Sequence, residues 1–201
     1  MKLYFSGASP FVRKVMVVAH EVGLAGEIEA IDAVAHPVNR DRAILAHNPL
    51  AQVPTLILDD GEVLADSRVI CEYLDARAGG RLFPAAPERW RVLAAQSLGD
   101  GLLAASLLVR YERTTRPEAV RSAEWQAAQL DKVRTALDAM EAAANRLGDR
   151  IDIGTVTWGC ALGYLDLRFP EIAWREGRPD LAAWFARFDE RPAMRATRPA
   201  G

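Results

Sequence analysis

Three short segments carry the residues of this 201-residue chain whose types and spacing suit them to chemistry. They are Ser9-Pro10-Phe11-Val12-Arg13-Lys14, Asn48-Pro49-Leu50-Ala51-Gln52-Val53-Pro54 and Asp66-Ser67-Arg68-Val69-Ile70. In the first, Ser before Pro reads as a helix start, because Ser is a favoured N-cap and Pro suits the first helical position. The first turn of such a helix offers unbonded amides and partial positive charge, which stabilise an anion such as a thiolate. Ser9 adds a hydroxyl donor there. Asp66-Ser67 is a second helix start, suited to holding a carboxylate in the same way. Between them, Pro54 heads a strand, where it has no N–H to give to a ladder. If the Val53–Pro54 bond is cis, the Val53 backbone turns outward and can pair with an extended peptide. A thiol site, a strand-like clamp and a carboxylate site add up to a receptor for a short, anionic, thiol-bearing peptide.

The elements that must hold these segments follow from periodicity and punctuation. Lys2 to Phe5 reads as a short buried strand. The helix from Pro10 carries Val12, Val15, Met16 and Ala19 on its inner face, with Arg13, Lys14, His20 and Glu21 off it, and Gly23 stops it. A strand over 27–31, a polar loop with a helical turn over 41–46, and a hairpin of 55–58 and 62–64 follow. The helix from Asp66-Ser67 turns Ile70, Tyr73 and Leu74 inward. Residues 1–78 thus form a small α/β unit, and Gly79-Gly80 to Pro87 form a linker over 79–87.

Residues 88–201 read as all-helical. Trp90, Leu93, Ala94, Ser97, Leu98, Gly101 and Leu102 mark one helical stripe, and Leu130, Val133, Leu137, Met140 and Leu147 mark another. A helix over 153–168 starts at a strong local signal, Asp152 as cap with Thr155 at N3. Leu181, Trp184, Phe185 and Phe188 mark a helix from Pro179, and Arg191-Pro192 starts a last short one.

Composition narrows the function classes. Half the residues are apolar, 26% are charged and the net charge is −2, with acids and bases interspersed, so neither nucleic acid nor an anionic membrane is expected as partner. The expectation is also that no apolar stretch is long enough to span a bilayer and that the start holds no secretory signal, which makes cytoplasmic the default location. Cys71 and Cys160 lack metal-ligand spacing and read as buried free thiols. His20, His36 and His47 are scattered, so no metal is expected.

Taken in order along the chain, these motifs resemble the glutathione S-transferase family. Asn48-Pro49 with Val53-Pro54 is similar to the family's segment before its cis-proline, and Asp66-Ser67 is similar to its γ-glutamyl-binding acidic-Ser pair. The stretch from Asp152 to Arg168 resembles the core helix of its helical domain, and Ser-Pro-Phe-Val-Arg-Lys resembles a bacterial branch. The resemblance implies a thioredoxin-like α/β N-terminal domain followed by an all-α substrate-binding domain, with glutathione as co-substrate, no metal, and a homodimer. It implies a thiolate stabilised by Ser9, with Phe11, His36, Gln52, Val53, Pro54, Asp66 and Ser67 binding glutathione. A small hydrophobic electrophile would then lie near Leu103, Leu107 and Tyr111. Two other readings stay open: a binding or interaction protein without catalysis, and a glutathione-dependent isomerase or reductase. Ser9 in place of Cys argues against thiol exchange.

Overall fold

A computed structural model describes residues 1–199; Ala200 and Gly201, the end of the expected second domain, lie outside the described residues. The chain divides into two compact units, Met1–Arg89 with the segment from Pro192 on, and Trp90–Arg191.

The first unit is built on a four-stranded sheet of order β2-β1-β3-β4, with β1 Lys2–Phe5, β2 Glu29–Asp32, β3 Thr55–Ile57 and β4 Val63–Leu64. β1 and β2 are parallel, joined through α1 (Pro10–Glu21), while β3 is antiparallel to both β1 and β4. A single turn, α2 (Arg42–Leu45), precedes β3, and α3 (Ser67–Arg77) follows β4. This strand–helix–strand, hairpin, helix order is the thioredoxin-like arrangement expected. β2 starts two residues later than expected because Ala25–Glu27 forms a 3-10 turn, after which the Glu29 N–H bonds the Met1 carbonyl at 3.0 Å.

Helix α1 departs from its expected amphipathicity. Arg13 and Lys14, read as solvent-facing, are 6% and 0% exposed, whereas Met16 is half-buried. The last short helix, α8 (Pro192–Ala196), explains part of this. It returns to the first unit and packs on α1, where Arg13 Nη2 donates to the Met194 carbonyl at 3.2 Å. Lys14 Nζ lies 5.6 Å from the Phe11 ring centroid, its stem lending apolar cover while the ammonium keeps an electrostatic partner.

The second unit is helical: α4 (Glu88–Thr115), α5 (Ala123–Ala144), α6 (Ile153–Arg168) and α7 (Pro179–Phe188). α6 starts at the capping box read from the sequence: the Thr155 N–H donates to Asp152 Oδ1 and the Asp152 N–H to Thr155 Oγ1, both at 2.9 Å. Leu181, Trp184, Phe185 and Phe188 of α7 are all buried, as their spacing indicates. The α4 stripe is a correction. Trp90 is 66% exposed, and the buried face runs through Val92, Gln96, Gly99, Leu102, Ser106 and Val109 instead. That face is chosen by closeness rather than apolarity. A Cβ on Gly99 would sit 2.8 Å from Thr157 Cγ2, and one on Gly154 2.7 Å from the Ala95 Cβ, so two glycines let α4 and α6 approach. A second correction concerns length: α4, at 28 residues, is long and apolar enough by composition to cross a bilayer, contrary to the expectation that no stretch is. Its buried face is taken up by packing within the helical unit.

Candidate functional site

The sheet register brings the three chemistry-bearing segments to one end of the first unit. Tyr4 pairs with Thr55, so the chain enters β3 from Val53-Pro54 beside the point where β1 runs out toward Ser9. Leu64 pairs with Leu56, so the chain leaves β4 toward Asp66 at that same end. The helices that follow β1 and β4 therefore begin together, and α1 packs against α3.

Each segment has its own local lock. Ser9 is the N-cap of α1: its Oγ accepts from the Val12 N–H at 3.3 Å, which leaves the hydroxyl proton to donate outward. The Val53–Pro54 bond is cis. The loop before it is held by Asn48, whose Nδ2 donates to Thr55 Oγ1 at 2.8 Å and whose Oδ1 accepts from the Leu50 N–H at 2.9 Å. Thr55 Oγ1 in turn donates to the Gln52 carbonyl at 2.7 Å. Asn48 and Thr55 are thus positioning residues; the sequence placed Asn48 in the segment before Pro54 but did not show its bond to Thr55. The Gln52 side chain is exposed, Val53 is half-buried and Pro54 is buried.

Asp66 caps α3, accepting from the Arg68 N–H at 2.9 Å, and pairs with the Arg68 guanidinium at 3.0 Å. Burial pushes its carboxyl up, but hydrogen bonds from the Arg68 side chain and N–H, with the charges of Arg68 and Lys14, outweigh this and hold it below the usual carboxylate range. Lys14, not singled out as a site residue in the sequence because its partner lies on another element, thereby reaches α3 electrostatically from α1. Ser67 is buried at the first turn of α3.

Other residues fall differently. His36 Nδ1 accepts from the Val38 and Asn39 N–H groups at 3.2 and 2.9 Å, so it shapes its own loop. The Tyr4 hydroxyl donates to the Ala43 carbonyl at 2.9 Å and lies 3.0 Å from His47 Nδ1, which engages it away from any thiol. In the helical unit Leu103 is wholly enclosed, which makes it core, while Leu107 and Tyr111 are half-buried. A cavity of about 310 Å³ in that unit, lined by Arg91, Leu147, Arg150 and Trp158 among others, includes none of the three. Cys71 and Cys160 are buried and form no disulfide. Among the described residues, no group of three or more His, Cys, Asp or Glu is arranged to hold a metal.

A thioredoxin-like unit with two helix N-termini and a cis-proline at one sheet end, followed by an all-helical unit, defines a class of two-domain proteins by its architecture. Comparison with known proteins agrees. Residues 8–77 match the family model for the glutathione S-transferase N-terminal domain and residues 123–187 that for the C-terminal domain. The chain belongs to the glutathione S-transferase family. It is 32% identical to the "uncharacterized GST-like protein YibF" of Escherichia coli K12, over 99% of this chain and 98% of that one. It is 30% identical to the glutathione S-transferase GstB of the same organism, over 92% and 90%. A glutathione transferase family member from Pseudomonas fluorescens Pf-5, solved with bound glutathione, superposes with a TM-score of 0.97 at 44% identity, covering 100% of this chain and 99% of that one. A second structure from that organism holds S-(propanoic acid)-glutathione, with a TM-score of 0.92 at 43% identity and all of both chains covered.

Proposed function

We propose that this protein is a glutathione transferase that joins the glutathione thiolate to small hydrophobic electrophiles, and that it belongs to the bacterial branch marked by Ser9 to Lys14. The observation that carries this is the capped start of α1: Ser9 Oγ accepts from Val12 yet keeps its own proton to donate. A sulfur placed over that turn receives the Ser9 hydroxyl and the helix's N-terminal amides. Its proton is released to solvent near neutral pH. Val53 supplies a backbone clamp for the cysteinyl residue, with Pro54 shaping it, and Asp66 and Ser67 hold the γ-glutamyl group. Gln52 reaches the glycyl carboxylate, with Phe11 and His36 at the periphery. The acceptor sits in the helical unit near Leu107 and Tyr111. The protein works in the cytoplasm as a homodimer. A relative holding an S-substituted glutathione supports chemistry at the sulfur.

Ser9→Ala tests the reading. We expect conjugation of 1-chloro-2,4-dinitrobenzene to fall about a hundredfold to a thousandfold, the range for losing one transition-state donor, while glutathione binding by calorimetry changes little. Unchanged turnover removes Ser9 from the mechanism. A second reading, glutathione binding without turnover, draws on Ser9 being an ordinary N-cap. It predicts a calorimetric signal with no conjugation by the wild type. Reduction of mixed disulfides is disfavoured, because position 9 is Ser and both cysteines are buried.

A further inference from the structure

Toward the C-terminal ends of α4 and α6, Arg110 and Arg168 carry positive charge that no acid among the described residues answers. Tyr164 and Arg168 lie one turn apart on α6, on one face of the helix. Arg110 and Tyr111 of α4, together with Arg168, lie close enough to the Tyr164 hydroxyl to act on its ionisation. Among the described residues, no carboxylate pairs with Arg110 or Arg168. The acids nearest them in sequence are engaged elsewhere: Glu112 with Arg116 at 2.9 Å, Glu171 with Arg113 at 2.7 Å, Asp166 with Arg175 at 2.6 Å. Tyr164 is 3% exposed, and its hydroxyl and the Arg168 Nε are both enclosed without a hydrogen-bond partner among the described residues.

Buried polar groups in folded proteins are almost always satisfied, so the orphaned Tyr164 hydroxyl and Arg168 Nε, with the unanswered Arg110 guanidinium near them, call for a missing acceptor. One small oxyanion, admitted as the half-buried Arg110 and Arg168 side chains move aside from the enclosed hydroxyl, resolves all of it, since a carboxylate takes charge-assisted hydrogen bonds from guanidinium groups and a further one from a phenol. Burial pushes the Tyr164 hydroxyl up to about 12, so it stays protonated, and a donor, at any working pH. Tyr111, raised likewise by burial, stays neutral beside it.

We propose that Arg110, Arg168 and Tyr164 form a carboxylate-binding subsite, and that the electrophile joined to glutathione carries a carboxylate on its apolar body. This rests on the transferase reading and gives it a substrate class. Arg110 and Arg168 neutralise the acid, Tyr164 fixes one of its oxygens, and Leu107 and Tyr111 contact the body. None of the three polar groups bonds to sulfur or to the reacting carbon; they set affinity and orientation.

The test compares 4-chloro-3,5-dinitrobenzoate with its methyl ester. In both, the glutathione sulfur forms a bond to the ring carbon, chloride leaves with the electron pair of the broken bond, and the thiol proton passes to solvent. The wild type is expected to favour the acid over the ester, relative to their uncatalysed rates. Arg110→Gln and Arg168→Gln are each expected to lower the acid-to-ester ratio of kcat/KM about tenfold or more, through the KM of the acid. Tyr164→Phe should lower it several-fold with no loss of thermal stability, because the hydroxyl it removes has no protein partner. A ratio that does not move in any of the three variants overturns the proposal, as does a wild type that prefers the ester. Absence of glutathione binding would sink the transferase reading separately. In that event calorimetry with the benzoate alone decides: a wild-type signal lost in the Arg110→Gln, Arg168→Gln double variant upholds the subsite, and no wild-type signal overturns it.

Discussion

Asp66 does two things with one carboxylate: one oxygen caps α3, and the group as a whole faces the positive charge of Arg68 and Lys14. Its pKa is held below the usual carboxylate range, and the sign of the consequence follows from that direction. A carboxyl depressed in the folded state stabilises it above the unfolded value, and that contribution is lost only as pH falls through the depressed one. Between pH 5 and 8 it is ionised throughout, so the KM for glutathione should show no titration from this group. Asp66→Asn keeps a good cap but removes the charge that answers the γ-glutamyl ammonium in the proposed role. We expect its KM for glutathione to rise about tenfold, the worth of one charge-assisted hydrogen bond, with a modest fall in melting temperature from the lost attraction to Arg68 and Lys14. A variant with wild-type KM would leave Asp66 as a cap alone. Ser9 and Asp66 were readable from the sequence because capping is local: a polar side chain, a Pro or Ser next to it, and an apolar run after it suffice. Lys14 and Asn48 were not, since what matters in them is a partner on another element, Asp66 for the one and Thr55 for the other.

Among the helices, legibility depended on what the buried face is made of. α7 buries four large apolar side chains, so its stripe was plain. α4 buries Gln96, Gly99, Ser106 and Glu112 and leaves Trp90 outside, so a search for apolar spacing found a different face. The deciding contacts are glycines, whose worth lies in an absent side chain and which carry no hydrophobic signal. This makes a sharp pair of substitutions. Gly154→Ala would drive a Cβ to 2.7 Å from that of Ala95 and 3.0 Å from the Val92 carbonyl, both held by helix backbone. We expect a loss of about 1–3 kcal/mol, as for overpacked cores. Gly101→Ala meets nothing within 4 Å on an exposed turn of α4 and should instead gain about 0.5–1 kcal/mol from helix propensity. Chemical denaturation of the two variants reads both signs; no destabilisation by Gly154→Ala would contradict the close crossing of α4 and α6, and destabilisation by Gly101→Ala would contradict the open surface at that turn.

Over the whole chain, the first unit is closed by its last described helix. The sequence reading assigned everything from residue 88 on to the second domain, because a short helix after Pro192 gives no local sign of what it packs against. In the structure Ala193 and Met194 are buried and α8 lies on α1, tied by Arg13 to the Met194 carbonyl. The helix that presents Ser9 is therefore braced by a segment that the chain supplies only after completing the helical unit. Loosening the brace should disturb the thiol end of the reaction and spare recognition of the acceptor. Met194→Ala removes a fully enclosed side chain and is expected to cost about 2–5 kcal/mol, whereas Met16→Ala, at a half-buried position of α1, should cost less. At a temperature where Met194→Ala remains folded, its kcat/KM should fall for both the dinitrobenzoate and its ester, with their ratio kept as in the wild type. A change in that ratio would mean that α8 also acts on the helical unit, and an unaltered kcat/KM would mean that α1 holds its first turn without the brace.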